Sequence, residues 1–295
     1  MTENSRRNEN GIIEKEKLTT QQKIWFTTGA IIKASWPVAL YMLLPAVVIS
    51  VGYFFTGRKR DIDTFILESG NFYTVIGILL VLLILIRRAK KMKINFFEEV
   101  TLEFDKSMIP KLLILLAMGI CIAVSVSAII TVIPMPKFLI SDYEDSSQAL
   151  YKGTDIIFMT LCQIFLAPFT EEVVFRGFML NRLLRQFNEK ACVIVVSLVF
   201  GLCHISGIWV IYAIGIGFLL TKISIREDNI LHSIILHAGF NMPAIVIYII
   251  NSSPALNEAI FGKTWQIISY GIIFAGLSVL LWRLYNKEKK YVEED

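Results

Sequence analysis

The sequence predicts an all-α fold: a polytopic transmembrane helical bundle of about eight spans with one interfacial amphipathic helix on its cytoplasmic face. Three observations carry that expectation. Of 295 residues, 55% are hydrophobic and 18% charged, too apolar a balance for an ordinary soluble domain. Eight apolar runs approach the roughly 20 residues that cross about 30 Å of hydrocarbon. The lysines and arginines gather in alternate connections between those runs.

Taken in order, the chain begins with a polar arm and interfacial segment, 1–35. The arm holds no short apolar stretch followed by a small-residue cleavage site, so no cleaved signal peptide is expected. Spans are expected at 36–55, 72–86, 112–133, 156–180, 191–206, 207–223, 230–250 and 265–284, within one transmembrane domain, 36–285. Its motif-bearing core is 156–250, and 286–295 is a charged cytoplasmic tail. Pro37 and Pro45 bend the first span, because proline removes a backbone donor and crowds the preceding turn. Lys33 snorkels to the interface. After the basic run Arg87 to Lys91, Phe96, Phe97, Val100 and Phe104 recur at helical spacing among Glu98, Glu99, Glu103 and Asp105. That is the pattern of an amphipathic helix on the membrane surface, either a brace or the border of a substrate entrance. Asp142, Glu144 and Asp145 mark a solvated loop. Gly207, Ala213, Gly215 and Gly217 thin the sixth span for close helix approach. Cys121, Cys162, Cys192 and Cys203 lie in apolar segments without disulfide or metal spacing and read as packing residues. No internal repeat or second domain is evident.

Basic residues set the orientation. With the N-terminus cytoplasmic, 21 of the 29 lysines and arginines fall inside and six outside, leaving Lys33 and Arg176 in spans. This asymmetry predicts a multi-pass plasma-membrane protein with both termini cytoplasmic. Membrane lipids are then obligatory neighbours. No basic tract with interleaved aromatics stands outside the membrane, which argues against a nucleic-acid partner.

Against this apolar background, Glu171, Glu172 and Arg176 are costly, since a charge at the centre of a span costs roughly 2.5–3.5 kcal/mol on insertion scales. Glu172 and Arg176 are four residues apart, share a helical face and can pair. Glu171 points about 100° away, so one arginine does not satisfy both acids. Pro168 is expected to break or kink the helix beside them. Phe200 and His204 occupy one face of the fifth span, and His237 and Asn241 one face of the seventh. Counted from the cytoplasmic markers Arg182, Lys190 and Arg226, Glu171, His204 and His237 lie 11, 14 and 11 residues deep. At 1.5 Å per residue these are depths of about 16–21 Å, so the three can meet. His232 is closer to the cytoplasm and turned away, and is expected at the interface.

A carboxylate, two imidazoles and a carboxamide at one depth suit hydrolysis: a base deprotonates water and donors hold the oxyanion of the tetrahedral intermediate. Glu171 is the base, His204 shares its proton or orients the water, and His237 with Asn241 are the donors. A zinc site built from Glu171, His204 and His237 with water in the fourth position is a second route. No HExxH signature is present. A noncatalytic scaffold or immunity protein that binds a peptide or sensor, and an ion carrier, are readings from other classes. The carrier needs a polar path to both faces, and no comparable residues continue the line outward.

The motifs EExxxR (Glu171, Glu172, Arg176), FxxxH (Phe200, His204) and HxxxN (His237, Asn241) occur in this order on separate spans, with 33 residues from Glu171 to His204 and 33 from His204 to His237. Together they resemble the CPBP family, the CAAX-protease and bacteriocin-processing (Abi) group of intramembrane proteases, also called type II CAAX prenyl endopeptidases. The resemblance covers about 156–250. It implies that Glu171 and His204 activate water, that His237 and Asn241 stabilise the oxyanion, and that Glu172, Arg176 and Phe200 support them. It also implies a peptide hydrolase of uncertain metal dependence, here expected to work without zinc. The family's eukaryotic branch trims prenylated CAAX proteins, whereas bacterial relatives are linked to peptide maturation, bacteriocin immunity and sensor regulation. Abundant Ile, Lys, Asn and Phe suggest an AT-rich bacterial genome. The expected substrate is a small membrane-associated peptide cut near the cytoplasmic leaflet.

Overall fold

The structure, a computed structural model, describes residues 20–57, 61–141, 143, 156–204 and 207–292. The polar arm up to residue 19, the acidic loop residues Asp142, Glu144 and Asp145, and the last residues of the tail lie outside the described residues. Among the described residues the chain is predominantly helical, with no strand.

Helix α1 (Thr20–Gly52) runs through Pro37 and Pro45. Helix α2 (Ile62–Lys91) starts at Asp61, whose carboxylate accepts from the amides of Asp63 and Thr64, and carries Arg88, Lys90 and Lys91 in its last turn, where cations favour the helix dipole. Helix α3 is Phe96–Glu99, and α4 is Ile109–Val132. Helix α5 follows one path over 156–184 in pieces: Ile156–Leu161, a π-helical Cys162–Leu166, Ala167–Glu172, a π-helical Val173–Leu180, and Asn181–Leu184. Helices α6 (Glu189–Leu202), α7 (Gly207–Glu227), α8 (Ile230–Asn251), α9 (Pro254–Phe261) and α10 (Thr264–Val292) complete the bundle.

Two expectations need correction. Seven described helices are long and apolar enough to cross a membrane, one fewer than the eight expected. The fifth expected span, 191–206, is the 14-residue α6, about 21 Å long. Its end closes with the Cys203 amide making the last four-residue bond, to the Val199 carbonyl at 3.1 Å, and the His204 amide a tighter three-residue bond to the Gly201 carbonyl at 3.0 Å. The surface helix expected from Phe96 to Phe104 is only the single turn α3. Thr101, with φ 52°, leaves the helical region, and its carbonyl accepts from the Ile230 amide at 2.9 Å. Asn229 fastens the continuation by donating to the Glu103 carbonyl at 3.0 Å. Phe96 and Val100 are buried while Phe97 and Phe104 are exposed, so the segment is amphipathic without being a helix over its length.

Lys91, Lys111, Arg182 and Arg226 mark one end of the bundle, the basic end. There Lys111 pairs with Glu227 at 2.8 Å, Arg182 with Glu99 at 2.7 Å and Lys222 with Glu189 at 2.9 Å. His232, expected at the interface, is buried beside this cluster with Nε2 4.0 Å from Glu227. Helix α8 is pressed onto α4: a Cβ on Gly119 would collide with the Leu236 carbonyl, and one on Gly239 with the Leu116 carbonyl. Backbone contact of this kind needs residues without side chains. Gly239→Leu is therefore expected to push α8 off α4 at a cost of about 1–3 kcal/mol or more, seen as a lower unfolding temperature and faster proteolysis. Of the residues expected to thin the sixth span, Gly217 approaches Phe200 and Ser197 closely, whereas Gly215 faces open space.

Candidate active site

Glu171 and Glu172 sit at the end of the α-helical piece Ala167–Glu172, with a π-helical turn on each side. Pro168 has no amide to give to the preceding turn, and the path continues through the widened turns rather than breaking. Consecutive helical residues diverge by about 100°, so the two acids face different surroundings. The Glu172 side chain is fully buried and that of Glu171 is 14% exposed.

Behind the site, Arg176 Nη1 donates to Glu172 Oε1 at 2.9 Å. Its Nε donates to Thr221 Oγ1 at 3.3 Å and its Nη2 to the Gly217 carbonyl at 2.9 Å. The guanidinium lies 4.5 Å from the centroid of the Phe200 ring. A charge removed from water survives only with such partners on most of its donors. The pairing of Glu172 with Arg176 matches the helical spacing.

His237, nearly fully buried, stands between the two acids. Nδ1 meets Glu172 Oε1 at 2.9 Å, while Nε2 is 3.6 Å from Glu171 Oε2. A carboxylate accepts, so Nδ1 holds the proton and the ring is fixed with Nε2 toward Glu171. His204 is oriented by a backbone group: Nδ1 meets the Phe200 carbonyl at 2.9 Å, which again makes Nδ1 the donor and leaves Nε2 to accept. Phe200 thus serves both histidines, with its ring centroid 4.8 Å from that of His204 and 5.7 Å from that of His237. Asn241 donates through Nδ2 to the Gln163 carbonyl at 3.0 Å, which leaves its second amide hydrogen available.

Glu171, His204, His237 and Asn241 line one cavity of about 740 Å³, together with Phe200, whereas Glu172 and Arg176 lie behind its wall. The structure brings together the residues that the sequence placed at one depth, and the imidazole in contact with Glu171 is that of His237. Two further residues join them. Tyr41 of α1 donates its hydroxyl to Glu171 Oε1 at 2.7 Å. Gln163 lines the cavity with Nε2 buried and without a hydrogen-bond partner. A buried amide donor left unpaired is costly unless a ligand or water meets it. Tyr41→Phe removes one hydrogen bond to a charged group, worth about 1.5–3 kcal/mol, and is expected to slow turnover roughly 10- to 100-fold with little change in KM. Steady-state kinetics of the purified variant check this.

For a metal, the donor arrangement is the test. Among the described residues no three His, Cys, Asp or Glu side chains gather closely enough to hold an ion. Glu171, His204 and His237 therefore do not form a preassembled zinc triad.

Residues 153–243 match the family model described as Rce1-like, type II CAAX prenyl endopeptidase Rce1-like, which bears out the resemblance carried by the three motifs. The match supports a CAAX-type intramembrane protease in general. It includes Glu171, His204, His237 and Asn241 and leaves out Tyr41. No curated protein and no solved structure matches the chain.

Proposed function

We propose that this multi-pass membrane protein, with its Rce1-like segment, is an endopeptidase that hydrolyses a membrane-associated peptide with water activated by Glu171 and His204. The observation that carries the reading is the single cavity lined by Glu171 of α5, His204 of the turn that ends α6, and His237 and Asn241 of α8. Tyr41 occupies Glu171 Oε1, so Oε2 is the oxygen left for water. Water attacks the peptide carbonyl carbon as its proton passes to Glu171, and the carbonyl π electrons become the oxyanion. His204, with Nε2 free to accept, holds the water's second hydrogen. The unused Asn241 amide hydrogen and the Gln163 amide are donors for the oxyanion, joined by His237 when Nε2 also carries a proton. Collapse breaks the C–N bond, and the proton on Glu171 passes to the leaving amine.

Hydrolysis of apolar peptides by purified protein in nanodiscs, followed by mass spectrometry, tests the reading. Activity is expected to persist in a strong chelator and to fall about 10²- to 10⁴-fold in His204→Ala. Stoichiometric zinc with chelator inactivation overturns the metal-independent mechanism. A His204→Ala chain that cleaves normally overturns the role of His204.

A further inference from the structure

The cavity has a direction. From Glu171 and His237 it continues past Ser127 and Ile130 of α4, Trp209 of α7, and Ile247 and Asn251 of α8. These positions lie toward the bundle end opposite Lys111 and Arg226, for Asn251 is the last residue of α8 and Ile130 is near the end of α4. Toward the basic end the site is sealed. Leu115, Met118, Phe178, Leu220, Ile223 and Ser233 are each at most 1% exposed, and none of them lines the cavity.

The wall also has a chemistry. Among the described residues, Glu171 is its one carboxylate and no lysine or arginine lines it. A peptide's terminal carboxylate brought here would find no cation and would stand near Glu171, an unpaired charge in an apolar space. A neutral backbone finds the Asn241 and Gln163 amides, and apolar side chains find Ile130, Trp209 and Ile247.

We propose, resting on the endopeptidase reading, that the cavity receives an internal, uncharged and apolar peptide segment, and receives it from the side opposite the basic end. With the basic end cytoplasmic, that side is the external half of the membrane, away from the cytoplasmic leaflet expected from the sequence. Substrates are hydrophobic segments held in the outer leaflet rather than chains offering a free C-terminus from the cytoplasm.

Sided thiol labelling tests the route without needing activity. Ser127→Cys places a thiol on the cavity wall and Lys222→Cys, with a 42% exposed side chain, one at the basic end. Each is compared with the native-cysteine chain in sealed right-side-out and inverted vesicles, using a membrane-impermeant thiol reagent. Ser127→Cys is expected to react only in right-side-out vesicles and Lys222→Cys only in inverted ones. Reaction of both from one face, or no reaction of Ser127→Cys from either, overturns the route. Correct sidedness with no hydrolysis of any apolar peptide retains the route and overturns the endopeptidase reading. Between two peptides of one apolar sequence, the amidated form is expected to be cut at least about tenfold faster than the free acid, the cost of a buried unpaired charge; faster cleavage of the free acid overturns the neutral-segment preference.

Discussion

Glu171→Gln is expected to lower peptide hydrolysis about 10²- to 10⁴-fold while the protein folds normally. The amide keeps the size of the carboxylate and can still accept the Tyr41 hydroxyl hydrogen bond made at 2.7 Å. It loses the ability to take a proton from water. The Glu171 side chain is partly open to the cavity, so replacing it leaves no buried cation without its counter-ion; Arg176 keeps Glu172. Turnover should therefore fall without a comparable drop in unfolding temperature. Single-turnover measurements would place the loss in the chemical step, and full activity in Glu171→Gln would remove Glu171 from the mechanism. A scaffold role predicts another pattern, in which the variant still binds and protects although it cuts nothing.

Arg176→Met is expected to have the largest effect on stability, about 3–5 kcal/mol, because it strands a buried carboxylate. Glu172 would keep His237 at 2.9 Å and Ser233 but no fixed positive charge, and Thr221 Oγ1 and the Gly217 carbonyl would each lose one donor, the carbonyl retaining the Thr221 hydroxyl at 2.7 Å. The double change Glu172→Gln with Arg176→Met removes both charges and should recover much of the loss in thermal unfolding. It should not recover activity. His237 Nδ1 then faces an amide that can turn either its oxygen or its nitrogen toward the ring, and a misassigned imidazole costs about 10²- to 10⁴-fold where orientation matters. Equal unfolding temperatures for the single and double variants would show that the pair is not what holds this part of the bundle.

The sequence discloses those parts of the site that depend on spacing along one helix. Glu172 pairs with Arg176 because four residues make one turn, and the depths of Glu171, His204 and His237 follow from residue counts. The link from His237 to Glu172 spans 65 residues and that from Tyr41 to Glu171 spans 130. No periodicity encodes either contact, and Tyr41 in an apolar run reads as one more interfacial aromatic. Gln163 was hidden in the same way, a polar residue whose meaning depends on what lies opposite. The failed surface helix has a local cause: hydrophobic periodicity continues to Phe104, but the Thr101 backbone leaves it to bond with Ile230. The short α6 could not be separated from a span because its composition is that of a span.

The two π-helical stretches of α5 carry a consequence for inheritance. Wide turns of this kind arise when a helix holds one residue more than its neighbours require, and Ala167–Glu172 sits between two of them. A residue lost from either stretch tightens it into an ordinary turn and keeps its flanks in phase, whereas one lost between Ala167 and Thr170, where none is spare, turns Glu171 by about 100°. Glu171 would leave the cavity with every motif residue still present in the gene. Loss of function by such a deletion would be invisible to a search for motifs, because what it alters is the phase of the helix and not its vocabulary.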